Sequence, residues 1–172
     1  MIESLESRLH TVLPERAMID AMLLGIDRFE SYRSALPFLA GGYTRTLLKK
    51  TNGFELVAMQ WAPSSLSALH DHGDARCWVV VLDGALDVDN FDRLDDGEER
   101  AQIAHRGRLV VARGDVDHRL SRRELHRVHN ARPESAYSLQ LYSPEIGAYN
   151  VINERTGECT SVVAKYDAIV EL

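Results

Sequence analysis

The rhythm of hydrophobic positions changes once along the chain, at Gly41-Gly42. Before that point apolar residues recur every three or four positions. Ile2, Leu5, Leu9 and Leu13 form one stripe, Pro14 punctuates it, and Met18 to Ile26 resumes it. This pattern, running to about Leu39, predicts two or three short helices. A stripe this short packs into a core far more often than it binds a partner helix. From Tyr43 onward the chain offers short runs rich in Val, Ile, Thr, Tyr and Trp. Turn signals separate them, among them Thr51-Asn52-Gly53, Asp83-Gly84, Asp95-Asp96-Gly97, Arg106-Gly107, Arg113-Gly114-Asp115 and Thr156-Gly157. The spacing predicts strands over about 43–50, 54–62, 76–82, 85–91, 99–105, 108–112, 124–129, 136–142, 147–152 and 159–165. The expected fold is mainly β, an antiparallel sandwich or small barrel preceded by the helices.

The 172 residues suffice for one substantial core and fall short of two ordinary ones. One domain spanning 1–172 is expected, with a helical segment over about 1–40 and a barrel over about 43–165. The formal net charge is −6 and no Lys/Arg run exceeds two residues, so neither nucleic acid nor a membrane surface is an expected partner. No stretch approaches the roughly 20 apolar residues of a membrane helix, and Met1-Ile2-Glu3-Ser4-Leu5-Glu6 lacks the basic flank and apolar core of a signal peptide. A cytoplasmic location is the expectation. Cys77 and Cys159 are the only cysteines, too few for a disulfide framework in a chain of this size.

Candidate chemistry concentrates at His70-Asp71-His72-Gly73, which leads into Cys77 and the apolar run Trp78 to Leu82. On an extended chain, imidazoles at i and i+2 face the same side, about 6–7 Å apart, within reach of one metal ion. Such a pair is weak evidence alone and needs a further ligand. His10 and His105 read as surface residues, and His118, after Gly114-Asp115, could reach a barrel mouth. His126 and His129 are an odd number apart and would face opposite sides of a strand. Arg45 and Tyr142 alone read as a surface arginine and a core tyrosine with a wet tip, Cys77 as a small buried hydrophobe, and Trp61 and Trp78 as core aromatics.

At these positions the chain resembles the cupin superfamily. His70-x-His72 followed by Gly84, and His126 followed by Asn130, match the spacing of its two motifs, while Cys77 stands where the usual carboxylate would be. The resemblance implies a cupin-type jelly roll and names His126 as the third ligand. A three-histidine site of this kind is similar to that of the thiol dioxygenases, and further segments resemble cysteine dioxygenase. These are Tyr43-Thr44-Arg45, Ser64-Ser65, Leu125-His126-Arg127-Val128, Ser138-Leu139-Gln140-Leu141-Tyr142-Ser143-Pro144 and Asn153-Glu154-Arg155-Thr156-Gly157. The likeness covers about residues 40–165.

The resemblance implies that His70, His72 and His126 bind iron(II), Fe(2+), that Arg45 with Tyr43 binds a substrate carboxylate, and that Tyr142, Cys77, Ser138 and Gln140 serve the reaction. It also implies a possible thioether between Cys77 and Tyr142, and a monomer. Gln140 departs from the family, which places a titratable histidine between its serine and tyrosine; glutamine donates and accepts hydrogen bonds without titrating. Three neutral imidazoles leave a divalent charge uncompensated, which favours a thiolate ligand. The partners the resemblance implies are a small carboxylated thiol and O2, with L-cysteine oxidised to its sulfinate. Rival expectations are a 3-mercaptopropionate or other mercapto-acid dioxygenase, a different metal-dependent cupin enzyme, and a ligand-binding cupin module, since fold alone does not decide function.

Overall fold

The computed structural model describes residues 4–172. The start of the first predicted stripe, Ile2, lies outside them. Three α-helices, α1 (Leu5–Val12), α2 (Arg16–Asp27) and α3 (Phe29–Tyr32), precede a 3-10 turn at Arg33–Ala35. Ser4 caps α1 by accepting from Ser7 N, filling one of the donors that a helix start leaves free.

Eleven strands follow. They are β1 (Tyr43–Lys50), β2 (Glu55–Trp61), β3 (Arg76–Asp83), β4 (Ala85–Arg93), β5 (Ile103–Ala112), β6 (Val116–Arg119), β7 (Glu124–His129), β8 (Ala136–Ser143), β9 (Ala148–Ile152), β10 (Cys159–Val163) and β11 (Ala168–Ile169). Six form one sheet in the order β11-β1-β2-β8-β3-β6, three form a second in the order β5-β4-β7, and β9 pairs with β10. The sheets form a jelly roll without hydrogen-bonding into one closed barrel.

Alternation along the central strands divides the interior in two. Leu56 and Ala58 of β2, Trp78, Val80 and Leu82 of β3, and Leu139 and Leu141 of β8 turn one way, onto Leu9, Met18 and Met22 of the helices. Their neighbours Val57, Met59, Trp61, Cys77, Val79, Val81 and Tyr142 turn the other way, onto Leu86, Val88, Val111 and Val128 of the smaller sheet. This is the period-2 pattern of strands buried on both faces. It places the candidate chemistry on the inner face, between the sheets. Helix α2 sits tightly on the outer face, because a Cβ on Gly25 would come within 2.7 Å of Leu139 Cδ2.

The predicted strand 108–112 and the end of the predicted strand 99–105, residues 103–105, belong to the single strand β5, whose register slips opposite Asn90 and Phe91; residues 99–102 lie before it. Gly107, read as a turn, has φ 130° and sits in this bulge. Strands β6 and β11 lie outside the predicted set; both are short, and β11 extends the β region beyond residue 165.

Candidate metal centre

His70 and His72 lie in the connection between β2 and β3, and His126 lies on β7. The connection forms isolated bridges at Leu66, to His129, and at His70, which bridges His126 on one side and Val151 on the other. His70 N donates to His126 O at 3.0 Å and His126 N donates back to His70 O at 3.1 Å. Asp71, between the two ligand candidates, points away from them and fastens the connection to β9. Its Oδ1 accepts from Asn150 N at 2.8 Å and from Gly73 N at 3.0 Å, and its Oδ2 accepts from Asn150 Nδ2 at 2.9 Å. Gly73 turns the chain at φ 59°, and a Cβ there would stand 2.6 Å from Ala148 O. Gly84, at φ 78°, makes the tight turn from β3 into β4.

The three imidazoles converge, with one ligating atom of each within 4.8 Å of the others. His126 Nε2 is 3.2 Å from His70 Nε2 and 3.2 Å from His72 Nε2. Metal–nitrogen bonds of about 2.0–2.1 Å, meeting at right to tetrahedral angles, set ligating nitrogens about 2.9–3.4 Å apart. The observed spacing fits. His70 Nδ1 lies 2.9 Å from Ala68 O, which assigns the proton to Nδ1 and turns the Nε2 lone pair towards the other two rings. Burial holds His72 and His126 well below the usual histidine range and lowers His70 as well, so all three are neutral imidazoles at pH 7. Lone pairs that face one another across about 3 Å repel unless a cation lies between them. The donor set therefore suits a divalent metal ion.

A cavity beside the imidazoles offers about 40 Å³ of space to water-sized molecules, room for about three waters and so for a ligand of few heavy atoms. Tyr43, Arg45, Trp61, Gln140, Tyr142 and Tyr149 line it together with the histidines. Arg45 Nη1 reaches the Tyr142 hydroxyl at 3.4 Å, and that hydroxyl donates to Gln140 Oε1. Burial raises the Tyr142 pKa, so the phenol keeps its proton. Cys77 lies opposite Tyr142 in the β3–β8 register. Burial, eased by Arg119, pushes its thiol up to about 12.

Most of the predicted site residues thus meet around one cavity. Ser138 does not line it: its Oγ accepts from Trp61 Nε1 at 3.0 Å and holds an indole on which Tyr43 packs, centroids 4.7 Å apart. Ser65 is buried away from the lining, where its carbonyl accepts from Asn130 N at 2.9 Å. Asn130 Nδ2 donates to the carbonyls of Trp61, Ala62 and Glu134, so this motif residue shapes a loop. His118 pairs with Trp78 on β6 and stays outside the cluster. Sequence reasoning missed Tyr149, 5.7 Å from His70 between ring centroids. Alternation along the predicted strand at 147–152 could have placed Tyr149 and Val151 on one face, but nothing local aimed that face at His70.

Comparison with known proteins bears on this arrangement. The chain is 32% identical over 137 residues to "Cysteine dioxygenase type 1" of Danio rerio, covering 78% of this chain and 63% of that protein. It is 29% identical over 141 residues to the Rattus norvegicus protein of the same name, covering 81% and 65%. It therefore spans slightly less than two thirds of these relatives' length. Among solved structures, the TT1209 protein of Thermus thermophilus superimposes with a TM-score of 0.52 at 13% identity, over 66% of this chain and 93% of that one. An oxalate oxidase in complex with the substrate analogue glycolate superimposes at 0.50 with 20% identity, over 73% and 57%. These two likenesses concern the fold, the cupin jelly roll. The family model for cysteine dioxygenase type I matches residues 27–155, a span that contains all three histidines, Arg45, Cys77 and Tyr142, and the chain belongs to that family.

Proposed function

We propose that the chain is an iron(II)-dependent thiol dioxygenase. It adds both atoms of O2 to the sulfur of a small carboxylated thiol, R–SH + O2 → R–SO2H, with L-cysteine as first substrate. One observation carries this reading: the imidazole cluster and the Arg45 guanidinium share one small cavity with Tyr142 beside both. The Tyr142 ring is 5.7 Å from that of His72, and its hydroxyl is 3.4 Å from Arg45 Nη1. A molecule of few heavy atoms can reach both ends.

His70, His72 and His126 would hold the metal. Iron(II), when bound, would supply the redox chemistry towards O2 and sulfur that zinc lacks. Arg45 offers a planar fork to the substrate carboxylate and fixes the end of the molecule away from the histidines. Tyr142 holds a proton at its hydroxyl, pointed at Gln140 Oε1, and so presents its oxygen in one orientation. Ser138 and Trp61 hold Tyr43 against the opening. The apolar lining of Met59, Val128 and Ile146 limits water around the reacting sulfur. A cytoplasmic, monomeric enzyme belongs to the same reading; the free thiols of Cys77 and Cys159 fit a reducing compartment.

A second reading, a mercapto-acid dioxygenase, has its own support. All the residues named as lining the cavity lack an acidic side chain, so the wall offers no carboxylate to a substrate ammonium. Oxygen uptake by the iron-loaded protein with cysteine, 3-mercaptopropionate and cysteamine separates the readings. Fastest uptake with cysteine supports the first, fastest uptake with 3-mercaptopropionate the second, and no uptake with any thiol removes both.

A further inference from the structure

The arginine assigned to the substrate carboxylate is held by a part of the chain outside the family match, which ends at residue 155. Residues 165–170 run beside β1. Asp167 N donates to Arg45 O at 2.8 Å, Arg45 N donates to Asp167 Oδ2 at 2.8 Å, and Val170 N donates to Leu47 O at 2.9 Å. Arg45 Nε donates to Lys165 O at 3.1 Å. The side of the guanidinium that carries Nε is therefore occupied, and on the edge formed by Nη1 and Nη2 the Tyr142 hydroxyl takes up Nη1 alone, at 3.4 Å, so this edge is the one left for a carboxylate.

Arg45 Nη2 is buried without a hydrogen-bond partner among the described residues. Its neighbour is Glu55, a carboxylate with no exposed surface. Glu55 Oε1 lies 3.9 Å from Nη2 and also lacks a hydrogen-bond partner among the described residues. Charged hydrogen bonds normally close to about 2.7–2.9 Å, and leaving a buried donor and acceptor unmet is costly. The restraint is visible on the other oxygen: the Tyr166 hydroxyl donates to Glu55 Oε2, and Lys50 Nζ is 3.9 Å from it.

We propose that Tyr166 and Glu55 are positioning residues for Arg45, with Tyr166 restraining the Glu55 carboxylate so that the Arg45 fork stays open to a substrate carboxylate. This rests on the reading of Arg45 as the carboxylate ligand. The ion pair is held just short of closure, and a substrate carboxylate supplies the missing partner to Nη2. The C-terminal segment thereby contributes to a preference for thiols that carry a carboxylate over thiols that lack one.

Tyr166→Phe tests it, because loss of the hydroxyl frees Glu55 to close on Arg45. KM for cysteine is expected to rise about tenfold. KM for cysteamine, which has no carboxylate, and kcat for both thiols should change less than about twofold. Glu55→Gln in the Tyr166→Phe background removes the competing charge and should bring KM for cysteine back to within about threefold of the parent. Calorimetric titration of cysteine under nitrogen reads the same order of affinities without turnover, and thermal melts confirm that each variant is folded. Equal losses for cysteine and cysteamine, or no recovery in the double variant, would overturn the proposal. If the parent binds cysteine with this pattern yet consumes no oxygen, the reaction reading fails and the positioning role stands. If the parent turns over cysteine and Tyr166→Phe changes nothing, the positioning role fails and the reaction reading stands. A parent that binds no carboxylated thiol overturns both.

Discussion

Cys77 and Tyr142 are direct partners across β3 and β8, and both are buried, at 1% and 2% exposure. Burial pushes the Cys77 thiol up to about 12, so its sulfur carries a proton at neutral pH. The family resemblance implies a thioether between them and the pairing places the two side by side; we propose that it forms when the iron-loaded protein turns over with O2 as oxidant. Intact-mass analysis after turnover should show a species lighter by two hydrogens, with the peptides containing Cys77 and Tyr142 joined, and Cys77→Ser should abolish it. An unchanged mass after many turnovers excludes the bond.

Tyr142 depends on Gln140 for its orientation, since the hydroxyl donates to Gln140 Oε1. Gln140→Leu leaves a buried hydroxyl without its acceptor, a loss of about 1–3 kcal/mol. Urea unfolding should register this, and the oxidation rate should fall at least about tenfold as the phenol loses its single orientation. A variant with the parent rate would remove Gln140 from the site's machinery.

Arg45→Ala removes the fork. KM for a carboxylated thiol should rise roughly a hundredfold, the equivalent of about 2–3 kcal/mol for a charged hydrogen-bonded contact. Cysteamine should be affected far less. Similar effects on both thiols would place Arg45 in the scaffold instead.

Much of this site is legible along the chain. The alternation of β8, which carries Gln140 and Tyr142 inward, follows from strand geometry, and the two-residue spacing marks His70 and His72 as a pair although they lie in a connection and not on a regular strand. The family resemblance supplies the choice of His126. Other features are not legible because they depend on contacts between distant segments. The bulge at Gly107 looks like a turn in sequence, since glycine serves both. The family resemblance gives Ser138 a part in the reaction, yet Trp61, 77 residues away in sequence, claims its hydroxyl. The Arg45, Glu55 and Tyr166 cluster joins three segments whose proximity only the assembled sheet reveals.

The metal-free protein should lose stability as pH falls from 7 to 5. Burial holds His72 and His126 well below the ordinary histidine value of 6.5, so the unfolded chain takes up protons first and folding weakens below that pH. Each contributes at most about 1.4 kcal/mol per pH unit between that ordinary value and its own lowered pKa. Melts of the metal-free protein should show this slope, and His72→Ala and His126→Ala should each reduce it. A divalent ion should raise Tm most near neutral pH, where the imidazoles are free of protons. A flat profile from pH 7 to 5 would contradict the assignment of buried neutral imidazoles.

The most direct measurement pairs iron analysis with product analysis. The protein is loaded with iron(II), its metal content measured, and the product formed from L-cysteine under dioxygen labelled with heavy oxygen analysed by mass spectrometry. The account predicts close to one iron per chain, lost in His126→Ala, and a cysteine sulfinate carrying two labelled oxygens. A product with one labelled oxygen, disulfide alone, or full activity in His126→Ala would contradict it.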